Sequence, residues 1–103
     1  MFEYVILHEQ KKTVVKFSGD LDIDVTEFME DQLTPQLLQS KMVQIDFSRI
    51  RFVDSSGIGL LISLLTSLRD SGIPATVLNI SEDVRMIFEL LQLPEILGPD
   101  VLL

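Results

Sequence analysis

No cysteine occurs among the 103 residues of the chain, which removes disulfide scaffolding, thiol catalysis and cysteine-ligated zinc and fits a reducing compartment. Cations are scarce as well: eight Lys and Arg face sixteen Asp and Glu, for a net charge of −8 at pH 7. A field of that sign repels phosphate backbones and anionic lipid, so neither nucleic acid nor membrane is expected as a direct partner. No apolar run approaches the ~20 residues that a bilayer span needs. The most apolar segment, Ile58 to Leu68, carries Ser63, Thr66 and Ser67 and reads as a buried helix. Met1-Phe2-Glu3-Tyr4 lacks the positive flank and apolar core of a secretory signal, which makes the cytoplasm the expected location. Repeats, linkers and low-complexity stretches are missing too. What is there, a content of 47% hydrophobic residues, is enough for one domain over residues 1–103, burying roughly two-thirds of its unfolded surface.

Two periodicities alternate along the chain. Tyr4 to His8 and Thr13 to Ser18 are β-branched or aromatic in character and flank the polar Glu9-Gln10-Lys11-Lys12, a pattern that predicts a β-hairpin. From Asp24 the period becomes helical, with Val25, Phe28, Met29, Leu33 and Leu37 on one face and acidic residues in the first turns. Pro35 should kink or split that helix, because it has no N–H and clashes with the preceding turn. Val43, Ile45 and Phe47 then alternate with Gln44, Asp46 and Ser48, the signature of a strand with one face in a core. A helix apolar on most of its circumference follows from about Ser56 to Asp70 and stops at Ser71-Gly72. Ala75 to Ile80 reads as a short strand, Ser81 as the N-cap of a third helix, and Glu95 to Leu103 as a further strand. Strand–helix–strand order after residue 42 requires parallel pairing, whereas the hairpin is antiparallel. The fold class is therefore α/β, a mixed sheet of four to five strands with helices packed on it, burying Phe28, Leu33, Ile45, Leu61, Leu65, Ile87 and Phe88.

Chemistry concentrates at Phe52-Val53-Asp54-Ser55-Ser56-Gly57-Ile58-Gly59. In an open α/β sheet, sites collect where strand C-termini meet helix N-termini, since unpaired helix N–H groups point outward there. Two serines offer hydroxyls, Asp54 or Ser55 can cap the helix, and Gly57 and Gly59 remove bulk where another backbone or a phosphate approaches. Serine and aspartate are also the commonest N-caps, so these residues alone are equally a good helix start.

Several segments in order decide between the two. The strand Val43-Gln44-Ile45-Asp46-Phe47, the Phe52 to Leu60 junction, the Ser71-Gly72 turn and the run Val84 to Leu93 resemble a STAS domain (sulfate transporter and anti-sigma factor antagonist). Upstream, Phe17-Ser18-Gly19-Asp20-Leu21-Asp22 resembles the same family's step into its first long helix. Within that family the likeness is to bacterial anti-sigma factor antagonists. The resemblance implies a cytoplasmic binding protein that is not an enzyme and has no cofactor. Its partners would be an anti-sigma factor that is a serine kinase, and a serine phosphatase. It places phosphorylation on Ser55 and partner binding on Asp20, Asp22, Asp54, Ser55, Ser56, Gly57 and Ile58. The unmodified form would bind the kinase and free a sigma factor, and phosphorylation would switch binding off. A second role open to the same family is an assembly module in a larger signalling or lipid-transport complex, without serine phosphorylation. Oligomeric state is left open.

Other patterns carry less. Asp22-Ile23-Asp24-Val25-Thr26 matches the nucleophile loop of haloacid-dehalogenase-type phosphatases, but that chemistry needs metal ligands and a lysine on later strands of a larger sheet. Asp20, Asp22 and Asp24 mimic the first ligands of an EF-hand, yet Val25 and Asp31 replace its obligatory glycine and glutamate. No metal site is assigned. His8 reads as a solvent-facing strand residue, and Arg49 and Arg51 as loop arginines that could face a phosphate or a partner.

Overall fold

The computed structural model describes residues 2–22, 29–98 and 101–102. Four strands lie in the order β1-β2-β3-β4: β1 Glu3–His8, β2 Thr13–Leu21, β3 Val43–Val53 and β4 Ala75–Leu78. β1 pairs antiparallel with β2, and β2–β3 and β3–β4 are parallel. The mixed sheet expected from the two periodicities is thus present. Right-handed crossovers put both connecting segments on one face, where Val15, Phe17, Val43, Ile45 and Phe47 are buried. The opposite face stays open, with Val5 and Leu7 exposed.

Between β2 and β3 the described chain forms a wide π turn, Met29–Leu33, which gives way to helix α1, Thr34–Leu37. Pro35 sits in the first turn of α1, where the π turn gives way to α-helical pairing and its missing N–H interrupts the ladder. The interruption expected at Pro35 takes this form. Leu33 and Leu37, one helical turn apart, are both buried, while Val25 and Phe28 lie outside the described residues.

Helix α2, Ser55–Asp70, supplies most of the core through Ile58, Leu60, Leu61, Leu64, Leu65 and Leu68. It ends on a Schellman motif: Ile73 N–H donates to Leu68 O at 2.9 Å and Gly72 N–H to Arg69 O at 2.9 Å. Gly72 has φ +75°, a conformation that costs a residue with a Cβ about 1 kcal/mol or more. Helix α3, Glu82–Leu90, begins on Ser81, whose Oγ accepts from Val84 N–H at 3.3 Å as its sequence predicts. Val84 and Phe88 point inward; Ile87, expected in the core, is only partly buried at its margin. A line of tilted aromatic rings, Phe2–Phe17–Phe47–Phe88, crosses the core with centroid separations of 5.1, 5.9 and 6.0 Å.

Two expectations need correction. β3 continues six residues past Phe47 to Val53, so Arg49 and Arg51 are exposed strand residues and not loop residues. The alternation breaks because β3 carries an extra residue against β2 twice. Lys16 to Ser18 spans two steps opposite Asp46 to Arg49, and Gly19 to Asp20 spans one opposite Ile50 to Phe52. Each bulge shifts the parity, so the buried residues Phe47, Ile50 and Val53 fall three apart. The tail is also different: residues Leu93–Leu97 form helix α4, with Leu93 and Leu97 buried one turn apart. Among the described tail residues strand character is confined to Leu102, which makes an isolated parallel bridge to Val77.

The first bulge is held by Asp46, whose Oδ1 accepts from Ser48 N–H at 2.8 Å and from Asn79 Nδ2 at 3.2 Å. Burial pushes this carboxyl up, but the Ser48 amide and hydroxyl, the Asn79 amide and the Lys16 charge outweigh it and leave Asp46 below its ordinary 3.8. A depressed carboxylate contributes stability above its unfolded pKa and loses it as pH falls through the folded one. Chemical denaturation should show wild type more stable than Asp46→Asn at pH 7, with the gap closing below about pH 4. A gap independent of pH would assign the difference to shape and not to charge.

Candidate functional site

The site forms where the C-terminal ends of β2 and β3 meet the start of α2. Asp20 pairs with Phe52 and Leu21 with Val53, which brings Asp20 and Asp22 to the same sheet end as Asp54 and Ser55. Asp54 is the N-cap of α2: its backbone is extended, at φ −97° and ψ −178°, and its Oδ1 accepts from Gly57 N–H at 2.8 Å. Its carbonyl takes Ile58 N–H at 2.9 Å, and its own N–H donates to Leu21 O at 3.3 Å. One aspartate therefore starts the helix and ties it to the end of β2.

Gly57 is required by that tie. A Cβ built on it would overlap the Leu21 carbonyl oxygen and crowd the Leu21 side chain, so only glycine lets α2 begin this close to β2. Ile58 is 3% exposed and packs into the core. Of the residues expected to bind a partner, Gly57 and Ile58 hold the loop from beneath, while Asp20, Asp22, Asp54 and Ser56 are half-buried and Ser55 is exposed. The Ser55 hydroxyl stands at the first position of a helix of 16 residues. There the free N–H groups and the positive end of the helix dipole favour added negative charge; the three nearby carboxylates oppose it.

Phe52 was not among the expected contact residues. It is 52% exposed, a large aromatic side chain beside Asp20 on the face opposite the inward Val53. Parity from Val53 would have placed it outward had the strand been followed past Phe47. Asp24, needed by both the phosphatase-like and the EF-hand-like patterns, lies outside the described residues. Among the described residues no group of three acidic or histidine side chains is placed to hold a metal ion, and no described helix is long and apolar enough to cross a membrane.

A one-sided α/β layer whose strand ends carry a capped, serine-bearing helix start defines the class of fold. The chain belongs to the STAS domain family, whose model matches residues 4–101. An anti-sigma-B factor antagonist of Staphylococcus aureus is 25% identical over 84 residues, covering 81% of this chain and 78% of that protein. The anti-sigma factor antagonist SpoIIAA in its unphosphorylated form superposes with a TM-score of 0.71 at 21% identity, over 98% of this chain and 87% of that one. The Bacillus cell fate determinant SpoIIAA in the phosphorylated form gives 0.73 at 23% identity, over 98% and 89%. Those two likenesses establish the fold.

Two substitutions separate the parts of this junction. Gly57→Ala should destabilise the protein by about 2 kcal/mol or more, because a fixed backbone carbonyl cannot move aside. Asp54→Ala should cost about 1 kcal/mol, the usual loss for an N-cap. Urea unfolding of both variants checks the order, and a Gly57→Ala protein as stable as wild type would remove the close approach as a constraint.

Proposed function

We propose that this chain is an anti-sigma factor antagonist, acting as a cytoplasmic single-domain binding protein and not as an enzyme. In its unmodified form it binds an anti-sigma factor that is also a serine kinase and so releases a sigma factor. Phosphorylation of Ser55 ends that binding, and a serine phosphatase restores it. The observation that carries this reading is the exposed Ser55 hydroxyl at the first position of α2, directly after the Asp54 cap. A kinase can reach it without unfolding the helix.

The contact surface consists of Asp20, Asp22, Asp54, Ser55 and Ser56, with Phe52 as its apolar element and Gly57 and Ile58 as its support. Exposed aromatic side chains in polar surroundings are favoured anchors of protein interfaces. A phosphoryl group of charge about −1.5 to −2 on Ser55 adds to the carboxylates already there. Docked against a surface shaped for a hydroxyl, that charge is desolvated without a counter-ion, which commonly costs 2–5 kcal/mol. The helix N-terminus meanwhile accommodates it in the free protein. Modification therefore changes binding and leaves the fold in place, consistent with the likeness to SpoIIAA in both of its forms.

The test is phosphopeptide mapping after incubation with the anti-sigma serine kinase of the same genome and ATP, followed by binding measurements. Label is expected on Ser55 in wild type and in Ser56→Ala, and none in Ser55→Ala, which still binds. Ser55→Asp should fold normally and bind at least about tenfold more weakly, a loss of ~1.4 kcal/mol. Label on Ser56 would move the switch by one residue. Absence of label, with binding unaffected by Ser55→Asp, would favour an assembly module without phosphorylation.

A further inference from the structure

A pocket lies at the end of the sheet opposite the Ser55 junction. Thr13, which opens β2, pairs with Val43, whereas Leu21 at the far end pairs with Val53 beside the Ser55 junction. Around Thr13 the hairpin turn and the segment before β3 border an open pocket of about 290 Å³ lined by Lys11, Lys12 and Lys41. Three of the eight cations of a chain with net charge −8 thus gather at one opening. Among the described lining residues the one carboxylate is Glu9, 3.9 Å from Lys12 Nζ.

The inner wall is built from polar groups. Thr13 is 5% exposed and is the sole buried polar side chain among the described residues. Its Oγ1 lies 2.7 Å from Ser40 Oγ, and either hydroxyl can be the donor. The pair has two hydroxyl protons and this bond uses one. When Thr13 donates, the Ser40 proton remains for another acceptor, and Ser40 is half-buried and lines the same opening. Three lysines share the opening and Glu9 offsets only one of them, so the local charge favours an anion there.

We infer that this pocket binds a small, multiply charged phosphoryl anion, held by Lys11, Lys12 and Lys41 and accepting a hydrogen bond from the Ser40 hydroxyl, with Thr13 donating to Ser40 behind it. Lysine ammonium groups bind phosphoryl oxygens as point charges and need no fixed fork geometry. The volume, at the lower end of ligand pockets, suits an anion of few heavy atoms. The acidic remainder of the surface repels a long polyanion, which selects against nucleic acid. This inference is independent of the Ser55 switch.

The experiment is an amide NMR titration of the full chain at constant ionic strength, with inorganic pyrophosphate in one arm, glycerol phosphate in a second and hexaglutamate in a third. Saturable shifts at Thr13, Ser40 and Lys41, with none at Ser55 and a Kd of about 1 mM or tighter, are expected in at least one phosphoryl arm. Tighter binding of pyrophosphate would point to a free oligophosphate, and tighter binding of glycerol phosphate to a phosphorylated metabolite. The double variant Lys11→Gln, Lys41→Gln should weaken the response about tenfold with an unchanged Tm. Three results would overturn the inference: shifts that fail to saturate and spread to Arg49, Arg51 and Arg69, a double variant that titrates like wild type, or a response to hexaglutamate alone.

Discussion

The Leu21 carbonyl oxygen is the point on which the architecture turns. It accepts the Asp54 N–H at 3.3 Å while the missing side chain of Gly57 leaves it room. With that contact made, α2 starts at the sheet end and runs back across the face where Ile45 and Phe47 lie, and its apolar residues meet the strands. Move the start of α2 outward by the width of a methyl group and every residue from Ile58 to Leu68 shifts against the sheet. The same contact fixes the height at which Ser55 stands above β2. Site and core are therefore set by one constraint, and changes that loosen one loosen the other.

Most of the architecture could be read from residues because period and punctuation agree. Val43, Ile45 and Phe47 alternate cleanly, Ser81 caps where a cap is needed, and Ser71-Gly72 ends α2. Past Phe47 the reading failed for a definable reason. Two bulges convert the inward spacing from two to three, and a period of three resembles neither strand nor loop. The tail failed for another: Leu93 and Leu97 are four apart and buried as one helical face, but the apolar Ile96, Leu97, Val101 and Leu102 suggested extended structure in spite of Gly98-Pro99. The candidate site was readable as a segment, since Asp54 to Ile58 are contiguous. Phe52 escaped because its direction depends on strand parity beyond the bulges, and the lysine pocket because its walls come from residues nearly thirty positions apart.

Charge divides the molecule along its strands. Asp20, Asp22 and Asp54 stand at one end of the sheet, and Lys11, Lys12 and Lys41 at the other. β2 spans nine residues, about 30 Å at the rise of a strand, roughly three Debye lengths in physiological salt. Ligands at the two ends do not sense one another by direct Coulomb interaction. Either end is free to change charge state without altering affinity at its opposite.

The aromatic line Phe2–Phe17–Phe47–Phe88 joins the residue before β1 to a helix about eighty residues later. During synthesis the chain leaves the ribosome from its N-terminus at about 5–20 residues per second. Phe17 and Phe47 therefore stand in water until α2 emerges, and the part of the core under Phe88 stays uncovered for seconds longer. A nascent chain in that state presents an open sheet face with one edge unpaired. Such a chain is a natural client for a holdase chaperone, and a stall between Phe47 and Phe88 is the interval in which it is most exposed to aggregation.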